Sequence, residues 1–285
     1  MKDEGIKENE NSKLEINGNI EENIIAEMRE ILEDRIHGSS WILSRTIKLL
    51  KKIEPGLRAR VCRKISSSHP AMAGLKVLCK VLSKNPHFDV ENIVLESNKR
   101  TSENLRNLIA GKIVTTISRS HIVEKGLLEV KKTIILESKP GGEGKDVAKW
   151  LEEKGVEVEV IPDASMGYAV KESDFVVTGA DSIFETGFIN KVGTLPLALT
   201  SKHFGKPFIV ASPSYKFLEK IEKVEGFAAG TGSQVLKALG NSLFEFVELK
   251  YVGSIVWEGG VTYLEDLDKI VEIKAASAKL FDESR

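Results

Sequence analysis

The segment running from Asp174 to Thr194, DFVVTGADSIFETGFINKVGT, gathers residue types suited to an anionic, polyhydroxylated molecule such as a sugar phosphate. Its β-branched run, Phe175 to Thr178, predicts a strand buried on both faces. Gly179-Ala180-Asp181 then sets a carboxylate at the carboxyl end of that strand, the edge where open parallel sheets bind ligands. Asn190, Lys191, Gly193 and Thr194 follow at a predicted helix entrance, supplying an amide, an ammonium, a close-approach glycine and a hydroxyl. Helix entrances attract anions because their first backbone N–H groups lack partners. Alone, Gly-Ala-Asp reads as a strand and a turn with Asp181 in solvent; joined to Asn-Lys-x-Gly-Thr it reads as a site.

Other residues carry weaker signals. His37 and His121 are candidate polar groups for the site, and an ordinary polar or loop role is the default for either. Arg119 could bind phosphate, Trp41 could stack on a ligand or simply pack, and Glu258 follows the last β-run at the binding edge. The charge-rich stretch 216–225 reads as a solvated helix face. The glycine-rich run 226–232 lacks a preceding strand and reads as a loop.

The elements that must position these groups follow two rhythms. From about residue 20 to 110 apolar residues recur with helical spacing, as in Ile24, Ile25, Met28, Ile31 and Leu32, with Pro70 placed at a helix start. A further helix is predicted over 90–110. After Gly111 short β-rich runs recur at 112–117, 133–136, 156–161, 175–178, 208–211 and 254–257. Helical stretches such as 144–154 and 191–204 separate the first five. This predicts an α/β protein: a disordered tail over 1–19, a helical domain over 20–110, and a Rossmann-like doubly wound parallel sheet over 111–285.

Length suits one large or two medium domains, at 285 residues. The 41 Lys and Arg nearly balance 42 Asp and Glu, so there is no global field for gripping nucleic acid, and any RNA contact needs a local patch. Cys62 and Cys79 lack CxxC spacing, suit a reducing cytosol, and are expected to form neither a disulfide nor a metal framework. Without a long apolar run or an apolar leader, the expectation is a cytoplasmic protein with no membrane contact.

The unit GADSIFETGFINKVGT resembles the signature of proteins related to the α, β and δ subunits of translation initiation factor 2B. That superfamily also contains methylthioribose-1-phosphate isomerase and ribose-1,5-bisphosphate isomerase. Arg35-Ile36-His37-Gly38-Ser39-Ser40-Trp41, Glu137-Ser138-Lys139-Pro140 with Glu143-Gly144, and Pro207-Phe208-Ile209-Val210-Ala211 fit the pattern in the expected order. The resemblance implies an assembly of two or more copies, no metal or redox cofactor, and a phosphorylated sugar or nucleotide ligand. The ligand would be held by His37, Gly38, Ser39, Ser138, Lys139, Asn190, Lys191, Gly193 and Thr194.

In the family's isomerases an aspartate and a cysteine move the protons. Asp181 matches the aspartate, but the loop 113–120, where those isomerases read approximately TxCxS, holds no cysteine. They also typically carry an arginine where this chain has His37, and tend to have SRP where it has Ser138-Lys139-Pro140. An arginine fork grips phosphate in two places and a lysine in one. Two readings stay open: an archaeal-type regulatory subunit with a ligand-sensing pocket, or an aldose–ketose isomerase on a phosphorylated pentose. The first leaves a translation initiation factor open as a partner, and neither calls for direct nucleic-acid binding.

Overall fold

In the computed structural model of the chain, residues 18–34, 37–218, 243–264 and 270–281 are described. The predicted tail up to residue 17, the run 226–232 and most of 216–225 lie outside them; Gly18 and Asn19, expected in the tail, instead open the first helix. Four helices come first: α1 (Gly18–Glu33), α2 (Ser39–Lys51), α3 (Pro55–Ser68) and α4 (Ala73–Lys84). They share a core that includes Ile31, Ile42, Leu49, Ile65, Leu75 and Leu78. Each such buried aliphatic side chain contributes roughly 1.5–3 kcal/mol.

Two expectations fail here. Pro70 does not open a helix. It sits in the turn closed by Met72 N–H donating to the His69 carbonyl, and Ala73 N–H is drawn away to the Asp181 carbonyl. Cys62 and Cys79 form a disulfide, because α3 and α4 pack side by side and bring their Cα atoms to 5.5 Å, well inside the range a bridge spans.

α5 (Glu91–Ile109) leads into β1 (Ile113–Thr116). There follow α6 (His121–Gly126), β2 (Lys132–Leu136), α7 (Gly144–Glu152), β3 (Val158–Ile161), α8 (Met166–Glu172) and β4 (Phe175–Thr178). Next come β5 (Ser182–Ile183), β6 (Gly187–Lys191), α9 (Thr194–His203) and β7 (Phe208–Ala211). The last elements are β8 (Phe244–Glu248), β9 (Ser254–Trp257), β10 (Gly260–Tyr263) and α10 (Ile270–Leu280).

Seven strands form one sheet in the order β10-β9-β7-β4-β1-β2-β3, parallel throughout except for β10. Alternate residues feed opposite faces. Ile134, Val176 and Val210 go to one side, Ile135, Val177 and Ile209 to the other, as a two-residue period demands. α5 packs on this sheet, since Leu105 and Ile109 belong to the second of these layers.

The six predicted β-runs all appear in the sheet. A second, antiparallel sheet, β5-β6-β8, was not predicted. It also corrects the predicted helix over 191–204: Lys191 ends β6, paired with Phe244, and α9 starts at Thr194. The order of strands reverses between β1 and β4, with β2 and β3 on one side and β7 and β9 on the other. Such a switch point leaves a crevice at the carboxyl ends of the strands.

Candidate functional site

The crevice is a cavity of about 240 Å³. Its floor is Ser118, Arg119 and Ser120 after β1, with Gly179, Ala180 and Asp181 after β4. The roof is the start of α2, His37 to Trp41, and Asn190, Lys191 and Lys216 close the side. Roof and floor meet at Gly38, where a Cβ would stand 2.8 Å from the Arg119 carbonyl oxygen. Only a hydrogen fits there.

Asp181 lies at the dry end. Burial pushes its carboxyl above the usual range, opposed by the charge of Lys216, a hydrogen bond from Ser39 and the charge of Lys191. Lys216, 3% exposed, donates to Ser39 Oγ and to the Ala180 carbonyl, both at 2.9 Å. Burial pulls its ammonium down to about 8, opposed by Asp181. Ser39 therefore relays between an acid and a base whose proton affinities have moved toward each other. The turn carrying Lys216 is braced from below. Ser214 donates to Glu258 through N–H (2.8 Å) and Oγ (2.5 Å), and the Tyr215 hydroxyl donates to Asn98 Oδ1 at 2.7 Å.

Lys191 forms the second centre. Its Nζ meets both oxygens of Glu143, at 3.0 and 3.1 Å, and Ser118 Oγ donates to the same carboxylate at 3.1 Å. Ser118 has φ 66, a left-handed conformation rare outside glycine. Its N–H is fixed by Ser138 Oγ at 2.7 Å. Such strain tends to concentrate at functional loops.

A third pair stands at the mouth. Arg119 Nε donates to Glu124 Oε1 at 3.0 Å, and His121 Nδ1 lies 3.6 Å from Oε2. Burial acts to raise the Glu124 carboxyl, but His121 and Arg119 together outweigh it and hold it low. His37 stacks on Trp41 with 3.8 Å between centroids, and Arg45 lies over the same indole. Every cation of the cavity thus has an acidic neighbour: Lys216 with Asp181, Lys191 with Glu143, Arg119 with Glu124.

The sequence-predicted residues divide. Asp181, His37, Gly38, Ser39, Asn190 and Lys191 line the cavity. The other four are turned to structural work. Ser138 is fully buried, bonding Ser118 N–H and the Leu136 carbonyl. Lys139 is exposed, with its backbone N–H on Asp163 Oδ2. Thr194 Oγ1 donates to the Lys191 carbonyl and accepts from Asn190, whose amide also bonds Thr178. Gly193 caps α9 at φ 98, but the helix entrance is already filled: Glu245 of β8 accepts from Leu195 N–H at 2.8 Å and from the Gly193 and Thr194 N–H groups. Among the described residues no group of His, Cys, Asp and Glu is arranged to hold a metal ion, and no helix is long and apolar enough to cross a membrane.

A family model for the Initiation factor 2 subunit family matches residues 87–231, from ahead of α5 to beyond the Lys216 turn. The chain belongs to this family. A putative translation initiation factor eIF-2B subunit 2-like protein of Pyrococcus furiosus is 29% identical over 270 residues, 84% of this chain and 96% of that protein. A ribose 1,5-bisphosphate isomerase of Methanocaldococcus jannaschii is 32% identical over 141 residues, 46% of each chain. The crystal structure of the Pyrococcus horikoshii translation initiation factor eIF-2B superposes with a TM-score of 0.72 at 25% identity, covering 85% of this chain and 97% of that one.

Within this initiation factor 2 subunit family member, sequence reasoning missed Lys216, Glu143 as the partner of Lys191, and Glu245 as the α9 cap. Lys216 carried one usable signal. It lies five residues past the end of β7, on the ligand edge, between Tyr215 and Phe217. The charged run that follows it points to the start of a solvated face; the structure buries it.

Proposed function

We propose that the chain is a regulatory-type protein of the translation initiation factor 2B kind, whose cavity senses a small phosphorylated sugar or nucleotide without turning it over. It works in the cytoplasm as a homodimer or larger assembly, with a translation initiation factor as partner. The observation that supports this most is the β1 loop. Where the family's isomerases carry a thiol, this cavity offers Ser118, locked onto Glu143. A hydroxyl is a far poorer proton donor or acceptor near neutrality than a thiol, whose ordinary pKa is about 8.5. The matched charges agree with sensing, because a ligand phosphate must compete with Glu143 for Lys191.

One observation keeps the isomerase reading alive. Asp181 and Lys216, joined through Ser39, are an acid and a base with displaced proton affinities, which general acid–base chemistry requires. The two readings separate in one experiment. Purified protein is incubated with ribose 1,5-bisphosphate and with 5-methylthioribose 1-phosphate under NMR observation, with parallel calorimetry. Binding without ketose product is expected. Product formation that disappears in both Asp181→Asn and Lys216→Arg would establish the enzyme instead.

A further inference from the structure

Between Ser39 and Lys84 the chain carries eleven Lys and Arg against one acid, Glu54, in a protein whose net charge is −1. The excess is arranged. On α3, Arg60, Arg63, Lys64 and Ser67 follow i, i+3, i+4, i+7 spacing and so share one side, away from the buried Cys62 and Ile65. On α4, Lys76, Lys80 and Lys84 recur every four residues, away from the buried Leu75, Leu78, Cys79 and Leu82. Arg60, Arg63, Lys64, Lys80 and Lys84 are exposed, and among the described residues none of the five meets a carboxylate. The acids nearby are engaged elsewhere. Glu27 and Glu30 hold Arg45 and Lys52, and Asp89 and Glu91 hold Lys51. Two links fix one row against the other, the Cys62–Cys79 disulfide and the bond from Arg63 to Ser83 Oγ at 3.1 Å.

We propose that this outer face of α3 and α4 docks the phosphate backbone of double-helical RNA. Three observations select that occupant. The face has no exposed large apolar side chain, since none of those on the described residues belongs to α3 or α4. A protein partner wants an apolar or aromatic centre, whereas a phosphate backbone is held mostly by charge. Neither helix contains an aromatic residue, so unstacked bases of a single strand find no platform. Ser67 stands exposed in the basic row; its Oγ donates to the Arg63 carbonyl at 2.9 Å and so meets solvent as an acceptor, the role it could play toward the 2′-hydroxyls that only RNA presents. The choice of RNA over DNA also leans on the translational role proposed above; the charge argument does not. Binding would be independent of base sequence and strongly dependent on salt.

The test is fluorescence anisotropy with two 20-base-pair RNA duplexes of unrelated sequence, the matching DNA duplexes, a polyglutamate, and phosphatidylserine vesicles. Both RNAs are expected to bind alike, and at least about fivefold tighter than the DNAs. The plot of log affinity against log salt should have a slope of about −4 to −5 if the five exposed cations each meet a phosphate, with close to one unit lost for each contact removed. The quadruple variant Arg60→Ala, Lys64→Ala, Lys80→Ala, Lys84→Ala should weaken RNA binding at least about tenfold and flatten that slope. The matching Lys→Arg triple should keep both, showing that a folded, charged face suffices. Absence of RNA binding at low salt, binding unchanged in the quadruple variant, or equal or tighter binding to DNA, polyglutamate or vesicles would each overturn the proposal. Any of these would leave the reading of the cavity untouched, since ligand binding there is measured separately.

Discussion

The cavity and the α3–α4 face hold positive charge in opposite ways. Inside, each cation has an acidic neighbour: Lys216 and Asp181, Lys191 and Glu143, Arg119 and Glu124. Outside, Arg60, Lys64, Lys80 and Lys84 meet none among the described residues. Matched charge in a dry site costs desolvation and returns geometry, so it discriminates between ligands. Unmatched charge in water is cheap and screened, so it gives reach and on-rate but little selectivity. One chain uses both, separated by the helical core.

Four substitutions probe that contrast, beginning with the largest effect. Lys216→Met leaves Asp181 buried without its cation and should cost about 3 kcal/mol. The sign with pH follows from linkage. Asp181 already binds its proton more tightly folded than unfolded, so its stabilising effect is present at low pH and is lost as pH rises through the raised value. Without Lys216 that value climbs further, so urea midpoints should show a larger loss at pH 8 than at pH 5. An equal loss at both would mean that Lys216 is not electrostatically tied to Asp181.

Glu245→Ala removes the carboxylate from the α9 entrance and should cost about 1–2 kcal/mol. The variant's melting temperature should then rise more with added sulfate than that of the parent, as an anion takes the vacated place. Glu143→Gln frees Lys191 without changing shape, and should tighten binding of a sugar monophosphate by up to about tenfold, roughly 1.4 kcal/mol. Weaker binding in calorimetry would mean that Glu143 itself contacts the ligand. Smallest, Lys80→Ala on the open face should shift stability by less than about 0.5 kcal/mol, read from the same urea transitions. A larger loss would show that the face is matched after all.

How much of this was legible depended on range. The runs 133–136, 175–178 and 208–211 are short, β-branched and bounded by turn residues, so local pattern sufficed for the central strands. Asp181 was legible for the same reason, since it follows one of them directly. β6 was not. GFINK carries an Asn-Lys-x-Gly-Thr helix-entrance signal at its end, and its pairing partner β8 arrives more than fifty residues later. Cys62 and Cys79 have no telling spacing; only the packing of α3 on α4 makes them neighbours. Lys216 defeated the reading most completely, because charge in a sequence says nothing about desolvation. The same limit hid the division of labour among the predicted ligands. Ser138 and Thr194 look available until the backbone groups that consume their hydroxyls are in view.

The carboxylate of Glu245 at the start of α9 also sets an order of events in time. It reaches Leu195 from fifty residues further along the chain. During synthesis, at roughly 5–20 residues per second, that is a delay of about 3–10 s in which α9 has no cap. β6 spends the same interval as an unpaired edge on the side that β8 later covers. The signature segment is therefore finished late, by residues outside it, and a nascent or truncated chain ending before β8 would carry every residue of the motif without the geometry that gives it meaning.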